Sequence, residues 1–314
     1  MRIFIAGASG AIGRHLVTQL VERGHEVVGT TRSAARTEQL RALGAEPVVV
    51  DALDAGALTD AVGKAGPEVV VHQLTALSGP TDFRHAKRMA AATDRLRTEG
   101  TDHLLAAARA AGVRKVVAQS NAMWMERSSG SVADEDTGIE PNPPADAADS
   151  VGALRYLETA VTGIAWGDGI ALRYGGFYGP GTGIEAAPGA VMGDLIRARK
   201  FPIVGGGTGV WSLVHIVDAA AATVAAIERG QRGIYHVADD EPAAVNVWLP
   251  DLAGALGAKA PRRVPGWLVR LVAGDAPVNL MTAARGISSE KAKRELGWTP
   301  RYASWRTGFA EGLR

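Results

Sequence analysis

Three glycines spaced by two residues, Gly7, Gly10 and Gly13 in Gly7-Ala8-Ser9-Gly10-Ala11-Ile12-Gly13, have the types and spacing to hold a phosphate. They follow the apolar run Arg2-Ile3-Phe4-Ile5-Ala6 and lead into the apolar-periodic stretch 14–23. A strand, a glycine turn and a helix N-terminus in that order aim free backbone N–H groups and a positive dipole end at an anion. Glycine serves where the backbone must turn sharply or approach a diphosphate closely. The expected ligand is a dinucleotide, with Gly7, Ser9, Gly10, Ala11, Ile12 and Gly13 around its diphosphate.

The choice of dinucleotide falls at the end of the second strand, Val28-Gly29-Thr30-Thr31-Arg32-Ser33, with Arg36 close behind. An NAD site places a carboxylate about 20 positions beyond the glycines to hold the ribose hydroxyls. Here Thr31, Arg32 and Arg36 stand instead, with no acid to repel a 2′-phosphate and guanidinium groups able to clamp one. NADP is the expected cofactor, with NAD left open. Asp51 and Ala52 after the third strand, and Leu74 and Thr75 after the fourth, complete the contacts expected there. The plainer role for Asp51 is to cap the helix start that Asp54 also flanks.

Such residues need a parallel α/β frame, and the first half of the chain supplies one. Val/Ile-rich runs at 3–6, 26–29, 46–50, 69–72 and 115–118 alternate with helix-like stretches at 14–23, 34–43, 55–65 and 83–111. Strands with little polar alternation belong to a sheet covered on both faces, and repeated βα units wind it doubly. The expected fold is therefore α/β, a Rossmann-type doubly wound parallel sheet with a small C-terminal substrate lobe. Residues 1–174 form the dinucleotide-binding domain, with 210–237 returning to its sheet; 175–209 and 238–314 form the lobe. An exposed loop is expected over 128–150, where Ser128-Ser129-Gly130-Ser131 and Pro141-Asn142-Pro143-Pro144 occur.

Composition narrows the function classes. With 46% hydrophobic residues over 314 positions a sizeable core is available. The net charge of +1 leaves no electrostatic footprint for nucleic acid. Cysteine is absent and the seven histidines form no ligand pair, so neither thiolate chemistry nor a metal is expected. No apolar run reaches membrane-spanning length, and the N-terminus lacks a signal-peptide pattern. A soluble cytoplasmic protein with a small-molecule substrate is the expectation.

Further motifs stand in order: Asp51-Ala52-Leu53-Asp54, Val69-Val70-Val71-His72, Lys115-Val116-Val117 ending in Ser120, Arg173 to Gly181, Val214-His215-Ile216-Val217-Asp218 and Glu295-Leu296-Gly297-Trp298-Thr299-Pro300. Together with the glycine turn they resemble the extended short-chain dehydrogenase/reductases, the epimerase/dehydratase branch, over essentially the whole chain. The resemblance implies that Tyr174, Gly176 and Phe177 pass beside the nicotinamide and that Asp218 opens a helix of the second lobe. It also implies a homodimer in which 83–111 pairs with 151–162 of a second subunit. The family's proton donor is a tyrosine followed four residues later by a lysine. Here the five tyrosines, 156, 174, 178, 235 and 302, are followed at that spacing by Ala160, Tyr178, Thr182, Asp239 and Arg306. Aligning the family's helix puts Val151 at the tyrosine and Arg155 at the lysine. Valine transfers no proton; arginine can hold a ribose hydroxyl but is a poor acid. The family's asparagine before a Gly-Thr pair is also gone, since Arg97 precedes Gly100-Thr101.

The candidate catalytic residues are therefore Ser120, Tyr156, Tyr178 and Arg155, with His72 and His215 as weaker candidates for proton transfer. Asn121, Met123 and Trp124 beside Ser120, together with Tyr178 and Trp211, are the expected substrate-pocket walls. The leading reading is an NADP-dependent oxidoreductase of the atypical extended type acting on a small carbonyl or alcohol. A non-redox cyclase, isomerase, epimerase or lyase on the same scaffold is the alternative, and a silent NADP-binding sensor the second.

Overall fold

A computed structural model describes residues 1–77, 83–127 and 130–314; Ser128 and Ser129 of the expected loop lie outside them. Seven strands form one parallel sheet: β1 Arg2–Ala6, β2 Glu26–Thr31, β3 Glu46–Val49, β4 Val69–His72, β5 Lys115–Asn121, β6 Asp168–Tyr174 and β7 Gly233–Val237. Their order, β7-β6-β5-β4-β1-β2-β3, reverses direction beside β1, where an open α/β sheet forms its ligand crevice. The helices are α1 Ala11–Glu22, α2 Thr37–Ala42, α3 Ala55–Ala65, α4 Phe83–Arg97, α5 Glu99–Ala110, α6 Ala148–Thr162, α7 Val191–Arg197 and α8 Ile216–Arg229, before a mostly helical C-terminal stretch. This is the Rossmann-type architecture read from the sequence.

Strand parity divides the core into two layers. Ile3, Ile5, Val71 and Val117 point toward α1 and α8. Phe4, Ala6, Val70, Val116 and Ala118 point toward α3, α5 and α6. A third apolar cluster joins Trp248, Trp305 and Phe309 of the C-terminal stretch to Tyr178, Ile196 and Leu213.

Three local expectations change. The single helix expected over 83–111 breaks at Thr98, whose backbone (φ −101°, ψ −85°) leaves helical geometry and separates α4 from α5. Of the segment 210–237, only β7 joins the main sheet. Val210–Trp211 pairs with Ala243–Ala244, and Leu213–His215 pairs with Gly176–Tyr178, both in small sheets of their own. The helix expected from Asp218 starts earlier, because His215 caps it by accepting from the Val217 N–H.

Candidate active site

The glycine turn is built by close packing. Gly7 has φ +94°, and a Cβ there would lie 2.6 Å from the Gln73 carbonyl oxygen. A Cβ on Gly13 would lie 2.5 Å from the Gly7 carbonyl oxygen, so only glycine lets α1 sit this close to the turn. Gly10 is the N-cap residue of α1 and no side chain caps the helix, leaving first-turn N–H groups for a ligand. Around this terminus lies a cavity of about 670 Å³, with Ser9, Ala11 and Ile12 in its wall. A second cavity of about 60 Å³ shares Ser9 with it. Thr31, Arg32, Val50, Ala52 and Leu74 enclose this smaller space.

Most expected cofactor positions converge here. Gly7 lines the small cavity, and its N–H donates to Thr30 Oγ1. The Ser9 hydroxyl donates to Thr31 Oγ1 at 3.2 Å, tying the turn to the end of β2. The Arg36 guanidinium reaches back to the Ser9 carbonyl at 3.4 Å and, with Thr75 and Phe177, lines the large cavity. Among the described residues no carboxylate lies within ion-pair distance of Arg14, Arg32 or Arg36. An uncapped helix N-terminus, unpaired guanidinium groups and a close-packed glycine turn fit a phosphorylated dinucleotide.

Other expected positions stand elsewhere. Asp51 Oδ1 accepts from the Leu53 N–H, forming a local turn, and its neighbours Val50 and Ala52 supply the cavity wall. Tyr174 is buried, with its hydroxyl 2.7 Å from Thr223 Oγ1. Gly176 donates its N–H to the Ser212 carbonyl and packs against Leu213.

None of the four catalytic candidates lines the cavity. Ser120 shares strand parity with Val116 and Ala118, so it points to the α6 face. It is fully buried and donates to Glu158 Oε1 at 2.6 Å. Glu158 in turn takes two hydrogen bonds from Arg173, at 2.8 and 2.7 Å, in a pair almost sealed from solvent. Tyr156 lies on the exposed side of α6 and donates to Asp102. Arg155 is exposed and donates to the Glu140 carbonyl at 2.9 Å. Tyr178 is buried against His215 and Phe309, over Gly308, where any Cβ would strike its hydroxyl. Burial pushes the Tyr178 hydroxyl far above its ordinary range.

The expected pocket walls and the histidines are likewise engaged in contacts within the fold. Asn121 Oδ1 accepts from the Met123 N–H. Trp124 packs with Ile139, Val151 and Leu154, so Val151 is core. Trp211 donates to the Leu280 carbonyl and stacks at 5.2 Å from Trp248. His72 Nδ1 accepts from Leu74 N–H, its Nε2 meets Thr101 Oγ1, and burial lowers it to about 4. His215 bonds Val217 N–H and the Gly312 carbonyl and is also lowered by burial. Asp218 accepts from Arg301 N–H and Tyr302 N–H and pins the C-terminal segment.

Residues that the sequence reading did not single out line the large cavity: Gln73 just past β4, Gln119 in β5, and Arg14 in the first turns of α1. The signal was present in strand parity. A glutamine at the carboxyl end of a buried parallel strand sits at the crevice, and Gln119 faces the opposite way from Ser120.

With this geometry in view, residues 3–238 match the family model described as the NAD dependent epimerase/dehydratase family. The chain belongs to the NAD-dependent epimerase/dehydratase family. Among its relatives is a "3-diazoavenalumate denitrifying reductase" from a Streptomyces species, 44% identical over 98% of this chain and 99% of that protein. A "2-alkyl-3-oxoalkanoate reductase" from Stenotrophomonas maltophilia is 26% identical, covering 100% of this chain and 98% of its own. The crystal structure of the Thermus thermophilus UDP-glucose 4-epimerase in complex with NAD superposes with a TM-score of 0.73. It is 26% identical, covering 100% of this chain and 98% of that one. The chain is an enzyme of the extended short-chain dehydrogenase/reductase type. No helix among the described residues is long and apolar enough to cross a membrane.

Proposed function

We propose that this enzyme is an NADP(H)-dependent reductase of a small organic substrate. The observation that carries the reading is the groove at α1, where Arg32 and Arg36 stand free of carboxylates beside an uncapped helix N-terminus. The α1 N–H groups and Ser9 hold the diphosphate, Arg32 and Arg36 the 2′-phosphate, and Val50, Ala52 and Leu74 the adenine. When bound, the dinucleotide supplies a hydride; the protein orients the acceptor and excludes water. Wild-type protein is expected to bind NADPH more tightly than NADH. Arg32→Asp or Arg36→Ala should weaken NADPH about 10- to 100-fold and leave NADH unchanged. Equal losses for both dinucleotides sink the phosphate-clamp reading.

A second observation bears on the substrate. Among the described residues of the large cavity there is no tyrosine, lysine or histidine, and its one carboxylate, Glu185, accepts from the Gly181 N–H. Thr75 and Gln119 can donate hydrogen bonds but release no proton at neutral pH. Carbonyl reduction and epimerisation both ask for such a proton or its removal. Hydride addition to an arene diazonium asks for neither. Hydride adds to its terminal nitrogen, forming an N–H bond as a nitrogen–nitrogen π pair moves inward. The resulting diazene then loses N2 as the carbon–nitrogen bond breaks, and the proton passes to the ring carbon. In sum ArN2⁺ and H⁻ give ArH and N2. The likeness to a denitrifying reductase supports this substrate class, and Arg14 in the cavity wall suits a carboxylate on the same molecule. NADPH consumption matched by N2 release from a diazonium aryl carboxylate is the expected result. Consumption with simple ketones alone would redirect the reading to carbonyl chemistry.

A further inference from the structure

Gln73 stands beside the glycine turn on the α1 face of the sheet. Its N–H donates to the Ala6 carbonyl at 2.8 Å, so its backbone continues the β1–β4 ladder. The side chain is 4% exposed and lines the large cavity. A chain of hydrogen bonds fixes which way its amide points. The Thr223 hydroxyl donates to the Ala219 carbonyl at 2.8 Å, so toward Tyr174 it can only accept. Tyr174 therefore donates to Thr223 Oγ1 at 2.7 Å, and its own oxygen is left as an acceptor. Gln73 Nε2 donates to that oxygen at 3.4 Å. Gln73 Oε1 is thereby turned away from Tyr174, buried, and without a donor among the described residues. Buried acceptors in native proteins are seldom left without a donor from protein, water or ligand, and this one belongs to a residue that lines the cavity.

The missing partner must carry an N–H or O–H. Phosphates are acceptors at neutral pH, so the diphosphate does not serve. The adenine end occupies the smaller cavity, which Gln73 does not line. What remains is the nicotinamide half, with its ribose hydroxyls and carboxamide. We propose that Gln73 is a cofactor-reading residue whose Oε1 accepts a hydrogen bond from the nicotinamide half of the dinucleotide, with Tyr174 and Thr223 as the positioning residues that aim it. The proposal rests on the reading of the groove as an NADP(H) site.

The test is binding by titration calorimetry with two probes, NADPH and 2′,5′-ADP, the latter carrying only the adenosine half. Gln73→Leu should weaken NADPH about tenfold and leave 2′,5′-ADP unchanged. Its thermal midpoint without ligand should change little, because the long bond to Tyr174 is lost together with an unsatisfied acceptor. Tyr174→Phe, which frees the amide to turn, should weaken NADPH by a smaller factor; Gln73→Met serves in place of the leucine variant should that fail to fold. Parallel loss of both probes overturns the proposal in favour of a general structural role. Unchanged NADPH affinity with a raised substrate KM overturns it in favour of a substrate contact. Failure of the wild-type protein to bind 2′,5′-ADP overturns the NADP reading itself, and this proposal with it.

Discussion

The two faces of the sheet at its carboxyl edge are built to opposite standards. On the α6 face Ser120, Glu158 and Arg173 close on one another, and Arg173 Nη1 also donates to the Thr137 carbonyl at 2.8 Å. On the α1 face, one residue away along the same strands, Gln73 Oε1 has no donor and Arg14, Arg32 and Arg36 have no counter-ion among the described residues. Burying polar groups is costly unless they are paired; His236 Nδ1 on the α6 face also lacks a partner, so the contrast rests on the three guanidinium groups left without counter-ions on the α1 side. We read the closed face as scaffold and the open face as the site.

The largest effect that tests this contrast is on the closed face. Glu158→Ala leaves the Arg173 guanidinium buried without its partner and should cost roughly 3–5 kcal/mol of stability in denaturant unfolding. A loss below about 1 kcal/mol would show that the network is solvated rather than sealed, and the contrast would lapse.

The same face carries a pH dependence. Burial lowers His72 to about 4 and His236, which also faces the Arg173 guanidinium, to about 3, both from 6.5. Each stays neutral in the fold while the unfolded chain takes up a proton, so their stabilisation is complete above pH 6.5 and drains as pH falls through these values. Asp239, just past β7, works in the opposite sense. Burial pushes it up to about 8 from 3.8, so it favours the fold increasingly as pH drops across that range. Between pH 6.5 and about 4, unfolding takes up two protons at the histidines and releases one at Asp239. From these groups stability should fall by roughly 1.4 kcal/mol per pH unit. His236→Asn should flatten that slope, which unfolding titrations at several pH values would read.

Smaller effects separate scaffold from site residue by residue. Ser120→Ala should cost about 1.5–3 kcal/mol, as loss of a hydrogen bond to a buried carboxylate, with turnover by the folded fraction unchanged. Tyr156→Phe should change stability by about 0.5 kcal/mol or less and leave kcat intact. A fall in kcat for either variant would move the reacting centre to the α6 face and dissolve the comparison.

The elements were legible because their signals are local. The glycine turn, the strand runs and the positions of Thr31, Arg32, Arg36, Ala52, Leu74, Thr75 and Phe177 around one groove follow from short-range pattern and βα connectivity. The catalytic candidates lie outside the large cavity because their surroundings are set at long range. Ser120 meets Glu158, and Tyr178 meets Gly308, across separations that no spacing rule covers. Thr98 gives no obvious break between α4 and α5, since threonine is only mildly unfavourable in a helix.

By itself, then, the amino-acid sequence determined a parallel α/β sheet, a phosphate-holding turn at Gly7–Gly13 and a second-strand end rich in guanidinium rather than carboxylate. It also determined that no tyrosine–lysine pair at the family spacing exists. Only the tertiary structure decided which polar side chains line the cavity. A strand alternates its faces with every residue, and the choice between Gln119 and Ser120 depends on which helix layer covers each face. That covering is made by α1, α6 and α8, drawn from distant parts of the chain, so the polar character of the site is a product of packing and not of local pattern.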